Sequence, residues 1–430
     1  MTAPTSAGPV AGRVADGFEP VRDVFTATLD GVAGGAAVAL VVDGRTVVDL
    51  WGGRADAGGP PDRWSAGALP AAGAGYPADN SDGERPWTRS TRAVTFSVTK
   101  ATTTLCLLHA AGRGLLDLDA PVSTVWPEFA AHGKDRVTVR QTLAHRAGLP
   151  LVEAPLTRAD VLGWEPVVRA LAAQRPLWEP GSAWAYHAVT FGWLAGEVLR
   201  RVSGHTPGSY LREEFTAPLG LRTEIGVPVG EQSDIATVIG PAPLPAAALA
   251  RLDDHQRTML DLARRALTMN GALPFPGQWG ETDGADDETR GSRHVWNDPD
   301  VLAAEIPGAN GVGSAADLAG LFAAVLGTPG RPALVDRDVL TAATRPLSSG
   351  RPLGGGPGET GSTRGTGFIV PGAGEPLLSP GSFGHSGAGG QFALGDLRLG
   401  AGFAYLTNRM GGDGDDRATA LMASVRGCLG

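Results

Sequence analysis

The chain has 430 residues, 42% of them hydrophobic and 19% charged, a composition that builds a substantial core and excludes intrinsic disorder. Its net charge of −9 comes with arginines scattered along the chain rather than gathered in a basic patch, which argues against a nucleic-acid partner. Cys106 and Cys428 are the only cysteines and lie far apart, which excludes a disulfide framework and a cysteine-based zinc site.

The first ten residues carry neither a basic region nor an apolar run, and no stretch approaches 18 apolar residues. No signal peptide, no membrane span and a cytoplasmic location are therefore expected. Phe18, Val21, Val24, Phe25 and Leu29 recur at helical spacing and predict a helix over 18–29. Two Val-rich runs, 36–42 and 45–51, flank Asp43-Gly44 and predict a β-hairpin. Residues 54–87, rich in Gly, Pro, Ala and Asp, read as a long surface insertion.

Beyond Val94-Thr95-Phe96-Ser97, residues 98–111 predict a buried helix ended by Gly112 and Gly114. Residues 137–143 are expected to begin a helix stopped at Gly148, with another over 191–200 and helices alternating with loops to about residue 270. Residues 271–300 read as a second loop insertion. Ser314 is placed to cap a helix over 315–326. Short strands are expected at 366–370, 391–394 and 402–406, with a last helix at 418–425. Strands thus flank a central helical stretch. This predicts an α/β sheet domain from 1–95 and 330–430, an all-α domain over 96–329, and an active site where they meet.

Three motifs carry chemistry. In Ser97-Val98-Thr99-Lys100 the hydroxyl and the amine stand three residues apart at a helix start, so they share a face. A serine needs a base, and a buried amine of lowered pKa supplies one. Ser-x-x-Lys is common by chance, but this chain contains only two lysines, Lys100 and Lys134, among 36 basic residues. A lysine inside an apolar helix of so arginine-rich a chain marks a position that needs a titratable amine, because arginine does not deprotonate.

The second motif, Glu179-Pro180-Gly181-Ser182-Ala183-Trp184-Ala185-Tyr186-His187-Ala188, brings one of only four tyrosines to a turn before a helix. A phenol beside an ammonium can shuttle a proton. Trp184, beside Tyr186, is expected near the site, while Trp193, Trp279 and Trp296 either line an apolar pocket or pack. The third motif is Gly384-His385-Ser386-Gly387-Ala388-Gly389-Gly390. Its glycines would let a substrate approach the backbone and present an N–H to an oxyanion. His132, His145, Asp117 and Asp119 read as local structural residues.

In this order the three motifs resemble those of class C β-lactamases and the related family VIII carboxylesterases, within the serine β-lactamase and penicillin-binding protein superfamily. Residues 137–149, 310–315 and 403–408 resemble further segments of that family, and the resemblance spans about 18–425, apart from the two insertions. It implies a β-lactamase-like fold, an antiparallel sheet flanked by helices with an inserted helical domain. It also implies roles: Ser97 as acylated nucleophile, Lys100 as the group assisting its deprotonation, Tyr186 as the proton carrier to the leaving group, and the N–H groups of Ser97 and Ala388 as oxyanion hole. His385, Ser386, Gly387, His187 and Trp184 would contact substrate. His385 stands where the lactam- and peptide-cleaving members have lysine, and Ala188 where they have asparagine.

Both departures weaken a lactam or cell-wall peptide substrate. An esterase acting on a small-molecule ester through an acyl-serine, without metal or cofactor, is the leading expectation. An acyltransferase or a peptide-cyclising or ligating enzyme would use the same acyl-enzyme. A β-lactamase, DD-peptidase or amidase is a third reading, and an inactive binding module a fourth. No nucleic-acid or membrane partner is expected, and the oligomeric state is left open.

Overall fold

The computed structural model describes residues 10–30, 34–56, 85–240, 250–273, 294–353, 361–372, 377–412 and 415–430. Its strands are β1 (Ala11–Val14), β2 (Gly35–Val42), β3 (Arg45–Gly53), β4 (Ala93–Val94), β5 (Glu224–Ile225), β6 (Gly311–Gly313), β7 (Ser382–Ser386), β8 (Phe392–Asp396) and β9 (Ala401–Thr407). Six form one antiparallel sheet in the order β1-β3-β2-β9-β8-β7, and three form a small second sheet, β4-β6-β5. The principal helices are α1 (Glu19–Leu29), α2 (Val98–Gly112), α3 (Val139–Leu143), α4 (Thr190–Ser203), α5 (Ala315–Ala324) and α6 (Arg417–Leu429).

The hairpin expected at Asp43-Gly44 forms: both residues have positive φ, 48° and 75°, which a tight two-residue turn joining right-twisted strands requires. The run Gly35–Val42 is apolar without alternation because both faces of the sheet are covered. Val38 and Leu40 point to α1 and α6, where they join Val21, Phe25, Leu421 and Met422. Ala37, Ala39 and Val41 point the other way, to the core shared with α5 and the helical region.

That second face is built from small residues for a reason. Ala39 pairs with Ala404, and Gly402 stands two pairs further along, opposite Val41. A Cβ on Gly402 would lie 2.1 Å from the Ala319 carbonyl oxygen, so α5 rests directly on the backbone of β9.

Beyond the sheet, α2 packs against α4 on one side and against β7, the edge strand of the large sheet, on another. Its residues are buried almost all round, from Val98 to Leu108. The helix is buried as its sequence predicts, and it buries Thr99, Lys100, Thr102, Thr103 and Thr104 along with its apolar residues.

Several expectations are corrected. Residues 366–370 do not form a strand; they bend, and they touch the large sheet through a single bridge between Ile369 and Gly384. The helix at 315–324, assigned to the helical stretch 96–329, belongs instead to the covering of the sheet, because the small residues of β2 and β9 leave room for it. Of the insertion at 271–300, residues 274–293, with Trp279, lie outside the described residues. Toward its end, Val295–Asn297 forms a 3-10 turn, Pro299–Ala303 a short helix, and Trp296 is buried. Of the insertion at 54–87, residues 57–84 likewise lie outside. Its ends pair, Arg54 with Pro86, over a buried Trp87.

Candidate active site

Ser97 is reached by an abrupt turn from strand to helix. Val94 pairs with Val312, and Thr95 donates its N–H to Gly311 O at 2.8 Å. Phe96 then takes φ +46°, in the left-handed region that costs a bulky residue on the order of 1 kcal/mol. Its carbonyl accepts from both the N–H and the hydroxyl of Thr99, and its buried ring meets the edge of Trp296 at 6.0 Å between centroids. These contacts hold Ser97 at the first residue before α2, half exposed at the end of the helix.

Lys100 is one turn on and 0% exposed. Its Nζ lies 3.1 Å from Ser97 Oγ, 2.5 Å from Ala188 O and 2.7 Å from Gly308 O. The two carbonyls come from distant segments. Ala188 precedes α4. Gly308 lies in a loop shaped by the buried Asn310, whose amide donates to Val301 O at 2.8 Å and accepts from the Ile306 N–H at 2.9 Å. Burial pushes the lysine pKa down; Tyr186 opposes this and Arg364 reinforces it. Among the described residues no carboxylate pairs with this amine.

The Tyr186 hydroxyl donates to Ser97 Oγ at 2.8 Å, and Lys100 Nζ lies 4.9 Å from its ring centroid. Burial alone would raise the phenol pKa. The charges of Lys100 and Arg364 and the hydrogen bond with Ser97 outweigh it, and the phenol is held below its ordinary value. The segment bearing Tyr186 is fastened to the residues that follow α3. Gly181 donates to Arg146 O at 2.9 Å, Ala185 to His145 O at 3.3 Å, and the His187 N–H to His145 Nδ1 at 3.1 Å. His145 therefore has the local structural role the sequence suggests, with its ring 5.0 Å from that of Tyr186.

Ser97, Lys100 and Tyr186 are thus brought together, and β7 arrives beside them. A Cβ on Gly387 would lie 2.5 Å from Thr95 O, so the third motif packs directly on the turn that presents Ser97. Ala388 follows at an exposed turn, and among the described residues neither its N–H nor that of Ser97 donates to another group. Behind this turn Arg417, at the start of α6, donates to Gly389 O at 2.9 Å while paired with Asp415. Ser386 is half buried at the end of β7.

Three expected substrate contacts are corrected. His187 is fully buried: Nδ1 donates to Ala185 O at 2.7 Å and Nε2 accepts from the Leu149 N–H at 3.0 Å. Burial takes its pKa down to about 4. Trp184, 6% exposed, spends its indole N–H on Ser349 O at 3.2 Å and anchors the neighbouring loop. His385 is 1% exposed and has both ring nitrogens engaged. The guanidinium of Arg364 donates to Nε2 at 3.1 Å, and because a guanidinium never accepts, Nδ1 carries the proton and donates to Ser386 O at 2.6 Å. Burial and the charges of Arg364 and Lys100 keep this imidazole neutral.

Arg364 also corrects the sequence argument about charge. The third motif lacks a lysine, yet a fixed cation stands against it, supplied from 21 residues upstream.

A serine and a buried lysine at a helix start, with a tyrosine brought in by an irregular segment beside an antiparallel sheet, define a serine hydrolase of the β-lactamase-like fold. The chain belongs to the beta-lactamase family, whose match covers residues 21–426. It is 31% identical over 417 residues to the Mycobacterium tuberculosis protein named esterase/beta-lactamase LipL, covering 94% of this chain and 85% of that one. A crystal structure of a family VIII carboxylesterase superposes with a TM-score of 0.76 at 31% identity, over 98% of this chain and 100% of that one. A shorter similarity, 28% identity over 29% of this chain and 35% of the other, links it to a monacolin J acid methylbutanoyltransferase of Aspergillus terreus.

Proposed function

We propose that this serine hydrolase cleaves a small-molecule carboxylic ester through an acyl group carried on Ser97. The observation that carries the reading is Ser97 Oγ standing within hydrogen-bond reach of both Lys100 Nζ and Tyr186 Oη.

The cage around Lys100 suits a proton acceptor. As an ammonium it has three N–H donors and three acceptors, Ser97 Oγ, Ala188 O and Gly308 O. As a neutral amine it has two N–H groups for the two carbonyls and a lone pair for the serine proton. Both states are satisfied without rearrangement, and burial favours the neutral one. Ser97 Oγ attacks the ester carbonyl as its proton passes to Lys100. The carbonyl oxygen takes the electron pair and is met by the N–H groups of Ser97 and Ala388. Tyr186 hands a proton to the departing alkoxide, and water then releases the acid by the reverse sequence.

Ester rather than lactam cleavage is supported by Ala188 in place of an asparagine and by the similarity to a family VIII carboxylesterase, while the similar Mycobacterium tuberculosis protein is named for both activities. The acyltransferase similarity favours a second outcome of the same acyl-enzyme, transfer to an alcohol. Incubation with a short-chain p-nitrophenyl ester should leave an acyl adduct on Ser97 in intact-mass spectra, and Ser97→Ala should abolish turnover. Full turnover by Ser97→Ala overturns the proposal. Ester product formed from an added alcohol would identify transfer, and nitrocefin turnover rivalling ester turnover would restore the lactam reading.

A further inference from the structure

Arg364 belongs to no motif, yet it touches two of the three. Its guanidinium carbon lies 4.7 Å from the centroid of the Tyr186 ring, and its Nη1 is 3.1 Å from His385 Nε2. The residue is 8% exposed, and its backbone is clipped on both sides, donating to Ser348 O at 2.8 Å and accepting from Leu347 and Ser348 at 2.8 and 3.0 Å. We infer that Arg364 is a positioning residue for Tyr186, fixing the phenol against Ser97 and keeping a permanent cation over its ring. The inference rests on the roles proposed above for Ser97, Lys100 and Tyr186.

The groups facing Tyr186 are few. Ser97 and Lys100 come from α2, His145 from the segment after α3, His385 from β7 with its ring 6.0 Å away, and Arg364 from residues 361–372. Burial keeps both imidazoles neutral. Lys100 and Arg364 are therefore the charged groups facing the phenol among the described residues, and only Lys100 can lose its charge. Once Lys100 is neutral, Arg364 is the charged group that still favours the phenolate. A planar guanidinium suits this place because it can stack on a ring and donate to an imidazole in its own plane, which an ammonium cannot do as well. Its bond to Nε2 also fixes the tautomer of His385, and Nδ1–H then ties down the Ser386 carbonyl at the end of β7.

The test is the pH profile of kcat/KM for a p-nitrophenyl ester in wild type, Arg364→Lys, Arg364→Met and Arg364→Gln, with the rate of Ser97 acylation followed by intact mass. Loss of the cation raises the pKa of both Tyr186 and Lys100, so the acid limb should move to higher pH in the Met and Gln variants. The loss at neutral pH should be on the order of tenfold, with KM little changed. Lysine should bring the limb back toward wild type. The Gln variant, which can still donate to His385, stands in if the Met variant does not fold. A limb unmoved in the neutral variants, or an effect confined to KM, overturns the inference. In wild type itself, tyrosinate absorbance corrected by subtracting Tyr186→Phe should show this phenol ionising before the other tyrosines; ionisation in the ordinary range also overturns it. Absence of any Ser97 adduct in wild type would instead sink the acyl-serine reading.

Discussion

On the proposed mechanism, arginine at position 100 would keep the positive charge and lose the chemistry. The cage of Ser97 Oγ and two carbonyls offers acceptors to a cation, but of the two basic side chains only lysine can lose a proton and present a lone pair. Lys100→Arg should therefore lower kcat by about a thousandfold, within the range general-base loss commonly costs, while KM changes little. Because burial lowers the Lys100 pKa, the rising limb of the kcat/KM profile should lie below the ordinary lysine range, and activity should increase as pH rises through it. A limb at the ordinary lysine value would exclude Lys100 as the base. This residue was legible in the sequence because lysine is so scarce there. Arg364 was not, since it is one arginine among dozens, in a glycine-rich segment whose bends place it beside His385.

The segment bearing Tyr186 has no regular structure of its own, and buried imidazoles fasten it in place. His187 offers a donor to Ala185 O and an acceptor to the Leu149 N–H, a pattern only the neutral ring can supply. With its folded pKa near 4 against an ordinary 6.5, the unfolded chain binds more protons between those values, so stability rises with pH across that window and is lost as pH falls through it. The contribution is about 3 kcal/mol at the low end. His187→Asn should be less stable than wild type at pH 7 in urea titrations, but should lose less on going from pH 7 to 4.5; an equal loss would show that this ring does not set the acid limit. A sequence motif shows that a histidine is present, not which way it faces. His187 and His385 were both expected to meet substrate, and both are consumed inside the protein. Helices were read more surely than the strand at 366–370, because helical periodicity is local while a ladder depends on partners far along the chain.

Both ends of the chain build the large sheet. α1 and α6 pack together on one face, and α5 rests on the other through the bare backbone at Gly402. Gly402→Ala should cost about 1–3 kcal/mol in urea titrations, because the methyl meets a backbone carbonyl that cannot swing aside. A loss near zero would mean that α5 can slide without consequence. The sheet-and-helix architecture was legible from the hairpin and the terminal strands; the place of α5 was not, because its own pattern is apolar all round and names no partner.

The two carbonyls that hold Lys100 stand 88 and 208 residues from it along the chain. The depressed amine therefore does not exist in any fragment or loosely collapsed intermediate, where Ser97 is an ordinary alcohol beside an ordinary ammonium. On the proposed mechanism nucleophilicity is a property of the finished tertiary structure alone, and a chain still emerging from the ribosome carries no reactive serine to be acylated. During refolding, covalent labelling of Ser97 should lag behind the recovery of helical signal and coincide with the burial of Lys100, a sequence that stopped-flow circular dichroism and quenched mass spectrometry can time; labelling that precedes it would refute this coupling.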